Sequence, residues 1–301
     1  MTLVAGGTGV LGRAIARRLL AAGQPVTILT RDTRRAEDLR RLGAQLVAGD
    51  LRHLGSLKAA CEGVTHVIST ANAFAGRGDE SIESVDVQGT RNLIEAARQT
   101  GVQQFIFTSV RLPEAYRSID YFAAKFANED YLRKSGLTWT ILRPTAFMET
   151  WAARIGSAIV AGSTVGMFGS GRILQNFVAV QDVAAVAALT VDRADAKNAI
   201  VEIGGPENLT LLEVVETIER VTGKKARRAH LPLVLMPLLA VAIRPFNPMA
   251  ARIVRAGRLS ATIPQPFDIG PMLARFPITP TRLEDWARAR YGNHGDHRDQ
   301  K

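Results

Sequence analysis

The sequence predicts an α/β protein: a doubly wound parallel sheet followed by a smaller, mostly helical C-terminal lobe. Three observations carry that expectation. Short apolar runs alternate with helical segments from residue 2 to Pro144, the pattern of strands buried on both faces and joined by crossover helices. The first run, Thr2-Leu3-Val4-Ala5, opens directly into Gly6-Gly7-Thr8-Gly9-Val10-Leu11-Gly12 and an Ala/Leu/Ile/Arg-rich helix. Past Pro144 the alternation loosens, and apolar stretches interrupted by proline take over.

Taken in order, Gly6, Gly9 and Gly12 have the spacing G-x-x-G-x-x-G. One glycine allows a sharp turn, one lets a pyrophosphate approach the backbone, and one lets the helix pack on the strand, which makes the sheet Rossmann-type. A helix over 13–22 ends at Gly23, and a second strand covers 26–29. Helices are then predicted at 34–42, 56–61, 82–100 and 121–134, each of the first three stopped by a glycine (Gly43, Gly63, Gly101). Strands fall between them at 45–48, 67–70, 105–107 and 139–142, the last closed by Pro144.

Beyond it the pattern predicts a helix at 147–161, a glycine-rich loop at 162–172, a strand at 177–180, a helix at 181–190 and a strand at 199–203. Thr210 with Glu213 is placed to form a capping box on a helix over 211–222. Apolar helices follow from 231 to about 276, and the polar tail from Tyr291 reads as disordered. The expected domains are residues 1–145 (the sheet completed by parts of 173–205), a substrate lobe at 146–290, and the tail at 291–301.

Composition narrows the function classes. At 301 residues the chain suffices for one large α/β domain with an appended lobe, or two small domains. The net charge of +10 invites a nucleic-acid reading. Its arginines are spread singly over helices and aromatics are only 6%, so attraction of an anionic cofactor is the better account. A single cysteine, Cys61, excludes an internal disulfide and a cysteine-based metal site, and fits a reducing cytoplasm. The first strand starts at Thr2, so no signal or transit peptide is expected. The apolar segment 231–243, broken by Pro232 and Pro237, is too short to span a bilayer. It reads as a pocket lid or core helix ahead of a partner or membrane-surface helix. His53 and His66 read as structural, Trp139 and Trp151 as core or pocket wall, and His294 and His297 as part of the disordered end, not a metal grip.

The end of the second strand selects the dinucleotide. An acid there holds the ribose 2′-OH of NAD, an arginine the 2′-phosphate of NADP. Arg31 occupies that place, with Arg34 and Arg35 beyond it, and Asp32 is the competing feature. The reading favours NADP(H). Further on, Tyr121 and Lys125 stand at i and i+4 on one helix face. A cation beside a phenol stabilises the phenolate, so Tyr121 can exchange a proton with a substrate carbonyl while Lys125 steadies the cofactor ribose.

With the glycine turn, Arg31, Gly49-Asp50-Leu51, the segment 86–93 (DVQGTRNL), Phe107-Thr108-Ser109, and Lys125 through 135–144 (SGLTWTILRP), the chain resembles the atypical, NmrA-like short-chain dehydrogenase/reductases. Residues 177–184 and Gly204-Gly205-Pro206 extend the likeness. The resemblance implies NADP(H) held by Gly6, Gly7, Thr8, Gly9, Val10, Leu11, Gly12 and Arg31, with Asp50 and Leu51 near the adenine and Thr70 and Ala71 near the ribose. It places Ser109, Lys125 and Pro144 beside the nicotinamide, with Tyr121, Lys125 and Ser109 as the catalytic set. Two departures stand out. Val110 replaces the superfamily's usual Ser/Thr, and Asp86 stands where an asparagine is common.

The expected function is an NADPH-dependent reductase of a hydrophobic carbonyl, quinone or conjugated small molecule. The alternative is an NADP(H)-binding redox sensor, regulator or assembly subunit without turnover; a nucleotide-sugar epimerase ranks below both. The expected partners are a small-molecule substrate and at most a second copy, with no metal, no nucleic acid and no stable membrane insertion, in the cytoplasm.

Overall fold

The computed structural model describes residues 1–76 and 78–292, which leaves His294, His297 and most of the predicted tail outside the described residues. The chain divides into two compact units. The first comprises Met1–Arg111, Arg117–Pro144 and Val183–Ile203. In chain order it holds β1 (Thr2–Ala5), α1 (Val10–Ala21), β2 (Val26–Thr30), α2 (Glu37–Arg41), β3 (Gln45–Ala48), α3 (Leu54–Cys61) and β4 (His66–Ser69). Then come α4 (Thr90–Gln99), β5 (Gln104–Thr108), α5 (Asp120–Arg133) and β6 (Trp139–Pro144).

With the strand Ala199–Ile203, these form one seven-stranded sheet in the order 199–203, β6, β5, β4, β1, β2, β3, every pair parallel. This is the predicted doubly wound sheet. The chain order reverses between β1 and β4, where Ala5 lies opposite Ser69, and that switch point is where such sheets bind ligands. The apolar runs become strands because both faces are covered. Leu3, Phe105 and Phe107 stand among Leu93, Ile94, Ala97 and Ile141, all fully or nearly fully buried. Cys61 lies in the same core, where burial pushes its thiol up to about 11.

Local differences have local causes. The predicted helix at 34–42 starts as a 3-10 turn, Thr33–Ala36, capped by the Asp32 carboxylate on the Arg34 N–H. The predicted helix at 82–100 is continuous but opens as a wide π-helical stretch, Ile82–Gly89, fixed at its start by reciprocal Ser81–Ser84 bonds. Such widened turns recur at functional sites, and Asp86 sits within this one.

The second unit comprises Leu112–Tyr116, Thr145–Asp182 and the chain from Gly204 onward. Its core gathers Ile159, Val214, Ile218 and Trp286 from the helices Ala152–Val160, Leu211–Thr222 and Leu283–Tyr291, with Met167 and Phe177 from the strands Thr164–Phe168 and Gln175–Val178. The Thr210–Glu213 capping box forms as read from the sequence, and Gly223 ends that helix in the left-handed region (φ 67°).

Three expectations are corrected here. The predicted loop at 162–172 contains the strand Thr164–Phe168, paired in parallel with Arg227–Leu231. The predicted helix at 147–161 begins only at Ala152, because Ala146–Phe147 pairs with Phe177 and Val178 instead. Tyr291, assigned to the disordered tail, is a buried helical residue whose hydroxyl donates to the Ala153 carbonyl at 3.1 Å. Among the described residues, no helix is long and apolar enough to cross a membrane.

Phe105 is completely buried at the centre of the sheet. Phe105→Ala is expected to cost roughly 3–5 kcal/mol of unfolding free energy, measured by urea denaturation; a loss below ~1 kcal/mol would place it outside the main core.

Candidate active site

All of the predicted site residues belong to the first unit, at or beyond the carboxyl ends of its strands. In sheet order they are Asp50–Leu51 after β3, Arg31 after β2, the glycine turn after β1, Thr70–Ala71 after β4, Ser109 after β5, and Pro144 closing β6.

The glycine turn is built by close packing. Gly6 has φ 85°, and a Cβ there would sit 2.6 Å from the Ala71 nitrogen and 2.7 Å from Thr70 Oγ1. A Cβ on Gly12 would run into the Gly6 carbonyl oxygen, so the glycine is what lets α1 lie against the turn. Thr70 fixes the other side, its N–H and hydroxyl both donating to the Ala5 carbonyl at 2.9 and 3.1 Å. Gly9 N–H donates to Gly6 O at 2.9 Å. The cap residue Gly9 is exposed and offers α1 no side-chain acceptor, and Val10 at the helix start is 68% exposed. The first-turn amides therefore end in an open, positively polarised cradle. Its donor set fits a pyrophosphate.

Beside this cradle the charges are paired. Arg31 donates to Glu80, a partner the sequence reading did not name. Asp32 is tied to Arg34, its Oδ1 accepting both the Arg34 N–H (3.1 Å) and Nε (2.9 Å), which holds its carboxyl below the usual range. Asp50 accepts from Arg52 at 2.6 Å; that bond, opposed by burial, lowers its carboxyl to about 2. Leu51 packs into the core and its carbonyl accepts from Asn92 at 3.0 Å.

On the α5 side, Tyr121 and Lys125 do come together, with Lys125 Nζ 5.5 Å from the Tyr121 ring centroid. Tyr121 is half-buried and meets Phe74 edge-on at 4.9 Å between centroids. Lys125 is 3% exposed; its Nζ donates to the Thr108 carbonyl at 3.3 Å and lies 3.8 Å from Asp86 Oδ1. Burial lowers the Lys125 ammonium, against the pull of the Asp86 carboxylate. The Tyr121 phenol goes the opposite way from the expectation: burial and the Asp86 charge both push it up. The direction of the phenol thus follows its burial and the Asp86 carboxylate, not the Lys125 ammonium.

Ser109 is engaged by a partner that the sequence reading did not name. Its buried hydroxyl donates to Glu129 Oε1 at 2.5 Å. Glu129, 1% exposed, also accepts from Arg143 at 3.0 and 2.5 Å and from Arg133 at 3.2 Å. The Pro144 carbonyl accepts from the Arg111 N–H at 2.8 Å. Glu129 stands four residues after Lys125 on the same helix, a spacing that could have flagged it; no local signal marks Glu80. Asn128 donates to the Asp86 carbonyl at 2.6 Å, while Asn128 Oδ1 and Thr108 Oγ1 are buried with no protein partner. A buried polar atom without a partner calls for an explanation, and a catalytic role or a bound water is one.

A groove of about 300 Å³ lined by Glu207, Glu213, Arg220 and Glu284 belongs to the second unit and includes none of these residues. Among the described residues no cluster of His, Cys, Asp and Glu could hold a metal ion. His66 is buried in β4 beside Thr65, its Nδ1 2.8 Å from the Thr65 hydroxyl.

The fold is shared with an NADPH-dependent quinone oxidoreductase, QOR2, of Escherichia coli crystallised with NADPH: TM-score 0.79 at 21% identity, covering 97% of this chain and 100% of that one. The photosystem II assembly factor Ycf39 of Synechocystis sp. is 27% identical over 296 residues, 96% of this chain and 90% of that protein. The (4-alkanoyl-5-oxo-2,5-dihydrofuran-3-yl)methyl phosphate reductase of Streptomyces griseus subsp. griseus is 31% identical over 231 residues, 75% of this chain and 76% of that one. The relatives thus include both a reductase and an assembly factor, on an NAD(P)H-binding, oxidoreductase-like fold. The family model described as NmrA-like matches residues 1–262, and the chain belongs to that family.

Proposed function

We propose that the protein is an NADP(H)-dependent oxidoreductase whose hydride acceptor is a quinone or another conjugated small molecule. The observation that carries this is the glycine turn: a positive-φ Gly6, a Gly12 without room for a side chain, and uncapped amides at the start of α1. In this reading Gly6, Gly7, Thr8, Gly9, Val10, Leu11 and Gly12 hold the pyrophosphate, and Asp50, Leu51, Thr70, Ala71 and Pro144 line the rest of the cofactor path. Arg31 takes the 2′-phosphate in place of Glu80. With Asp32 tied to Arg34, the arginine is the better-placed selector at the end of β2.

Bound NADPH supplies the hydride. What the chain adds is position: Lys125, held by Thr108 O and Asp86, fixes a donor beside Tyr121. Raised by burial and by Asp86, the Tyr121 phenol is a weak acid, and Ser109 is engaged with Glu129. A saturated carbonyl needs a proton delivered as hydride arrives, whereas a conjugated acceptor spreads the new charge and takes its proton later. That difference favours the conjugated class. The same Asp86–Lys125 pair favours a second reading, cofactor binding without turnover, which likeness to an assembly factor also supports.

Purified protein is expected to oxidise NADPH with quinones or enones faster than with aldehydes. Turnover of aldehydes alone would sink the acceptor class, and tight NADPH binding without oxidation by any acceptor would leave the second reading. Tyr121→Phe is expected to lower kcat less than ~10-fold; a drop of ~10²–10⁴, the usual worth of a general acid, would make the phenol the proton donor.

Arg31→Ala is expected to weaken NADPH by about tenfold or more, the worth of a charge-assisted bond, with NADH little changed. Glu80→Gln is expected to tighten NADPH. Calorimetric titration of both nucleotides checks the pair, and equal losses for NADPH and NADH in Arg31→Ala would refute the role given to Arg31.

A further inference from the structure

The helix Met236–Ile243 has the sequence MPLLAVAI, with no polar residue. One side is accounted for: Met236 and Ala240 are buried with Val254, flanked by Phe168, Leu233 and Leu239. The other side is not. Leu238 is 71% exposed and Val241 73%, with Val234 at 79% just before the helix and Phe246 at 80% just after it. Leu238 and Val241 are spaced i, i+3 and share one face of the helix, and Val234 and Phe246 flank it on either side in sequence, extending the apolar stripe. Half of the large hydrophobic side chains exposed among the described residues fall between Val234 and Phe246. A contiguous apolar surface of this kind marks an interaction site, unlike single scattered side chains.

The charge around the stripe says what it meets. Between Glu219 and Asp268 the sequence has no Asp or Glu, but seven arginines and two lysines. Arg244 directly follows the helix and is exposed, as are Arg227, Arg255 and Arg258 on the neighbouring strand and helix. Some of this charge is answered: Arg228 donates to Glu219 at 3.1 Å and Lys225 to the same carboxylate at 3.2 Å. Glu219 lies on a different helix, and no carboxylate within the segment itself interrupts the basic margin.

We propose that this apolar helix with its basic margin docks the protein on an anionic lipid surface. The apolar side chains enter the boundary between headgroups and acyl chains, and the guanidinium groups lie at the level of the phosphates. An eight-residue helix cannot span, so the attachment is shallow and reversible. Two copies of the chain meeting through this face would set like-charged margins against each other, which argues against self-association. This surface is independent of the dinucleotide reading, since it shares no residue with that site.

The test is sedimentation of the full chain with vesicles of equal parts phosphatidylglycerol and phosphatidylcholine, and with vesicles of phosphatidylcholine alone. The protein is expected to sediment with the anionic vesicles, to be released by added salt, and to stay in solution with the neutral ones. Leu238→Glu is expected to weaken vesicle binding by at least about tenfold, the worth of withdrawing one leucine from an apolar phase. Phe246→Ser, outside the helix, is expected to act in the same direction, and unchanged circular dichroism confirms that both fold. Absence of binding to the anionic vesicles, or binding that Leu238→Glu leaves intact, would overturn the proposal. So would a dimer seen by light scattering that Leu238→Glu dissolves, because that assigns the face to a second copy.

Discussion

The contact between Gly6 and the Thr70–Ala71 backbone is the constraint on which the rest of the first unit depends. The two parallel strands at the switch point leave their carboxyl ends side by side, and here the gap between them is closed by the Ala71 main chain and the Thr70 hydroxyl. Thr70 ties its amide and hydroxyl to the Ala5 carbonyl, so the end of β4 is anchored to the end of β1. A Cβ at Gly6 would collide with Thr70 and Ala71, and one at Gly12 would push α1 away from the turn. The turn, the helix dipole and the order of the strands are therefore one structural decision.

A second constraint runs through buried charge. Removing a carboxylate from water is costly unless its partners are close and well aimed. Glu129 satisfies that condition with Ser109, Arg143 and Arg133, and so binds the end of β5, the end of β6 and α5 into one network. Asp86 is held differently: the Ala73 N–H donates to its Oδ2 at 2.8 Å, and the Lys125 ammonium lies 3.8 Å from its Oδ1. The two networks meet the same helix α5 four residues apart, at Lys125 and Glu129.

What was readable in the sequence was what is decided locally. The strand runs of the sheet, the glycine turn, and the Thr210–Glu213 cap each depend on residues within a few positions of one another, and each stands as read. The pairing of Thr164–Phe168 with Arg227–Leu231 depends on residues about sixty positions apart, so a glycine-flanked run looked like a loop. At the site, the spacing of Tyr121 and Lys125 was legible, but the direction of the phenol's pKa was not, since burial sets it first and Asp86, from another segment, adds to it. Ser109 shows the same limit: the residue type invited a catalytic reading, and its partner twenty positions later gives it a structural bond.

The helix Leu283–Tyr291 carries one more consequence. Similarity to the family model ends at residue 262, yet Leu283, Trp286, Ala287 and Tyr291 sit inside the second core, and Tyr291 packs flat enough on the neighbouring helix that only glycine fits at 156. The boundary of the family model is thus not the boundary that water sees. A clone trimmed where that model stops would bare Val214, Ile218 and Ile159 to solvent, and its insolubility would say nothing about the fold it had been cut from.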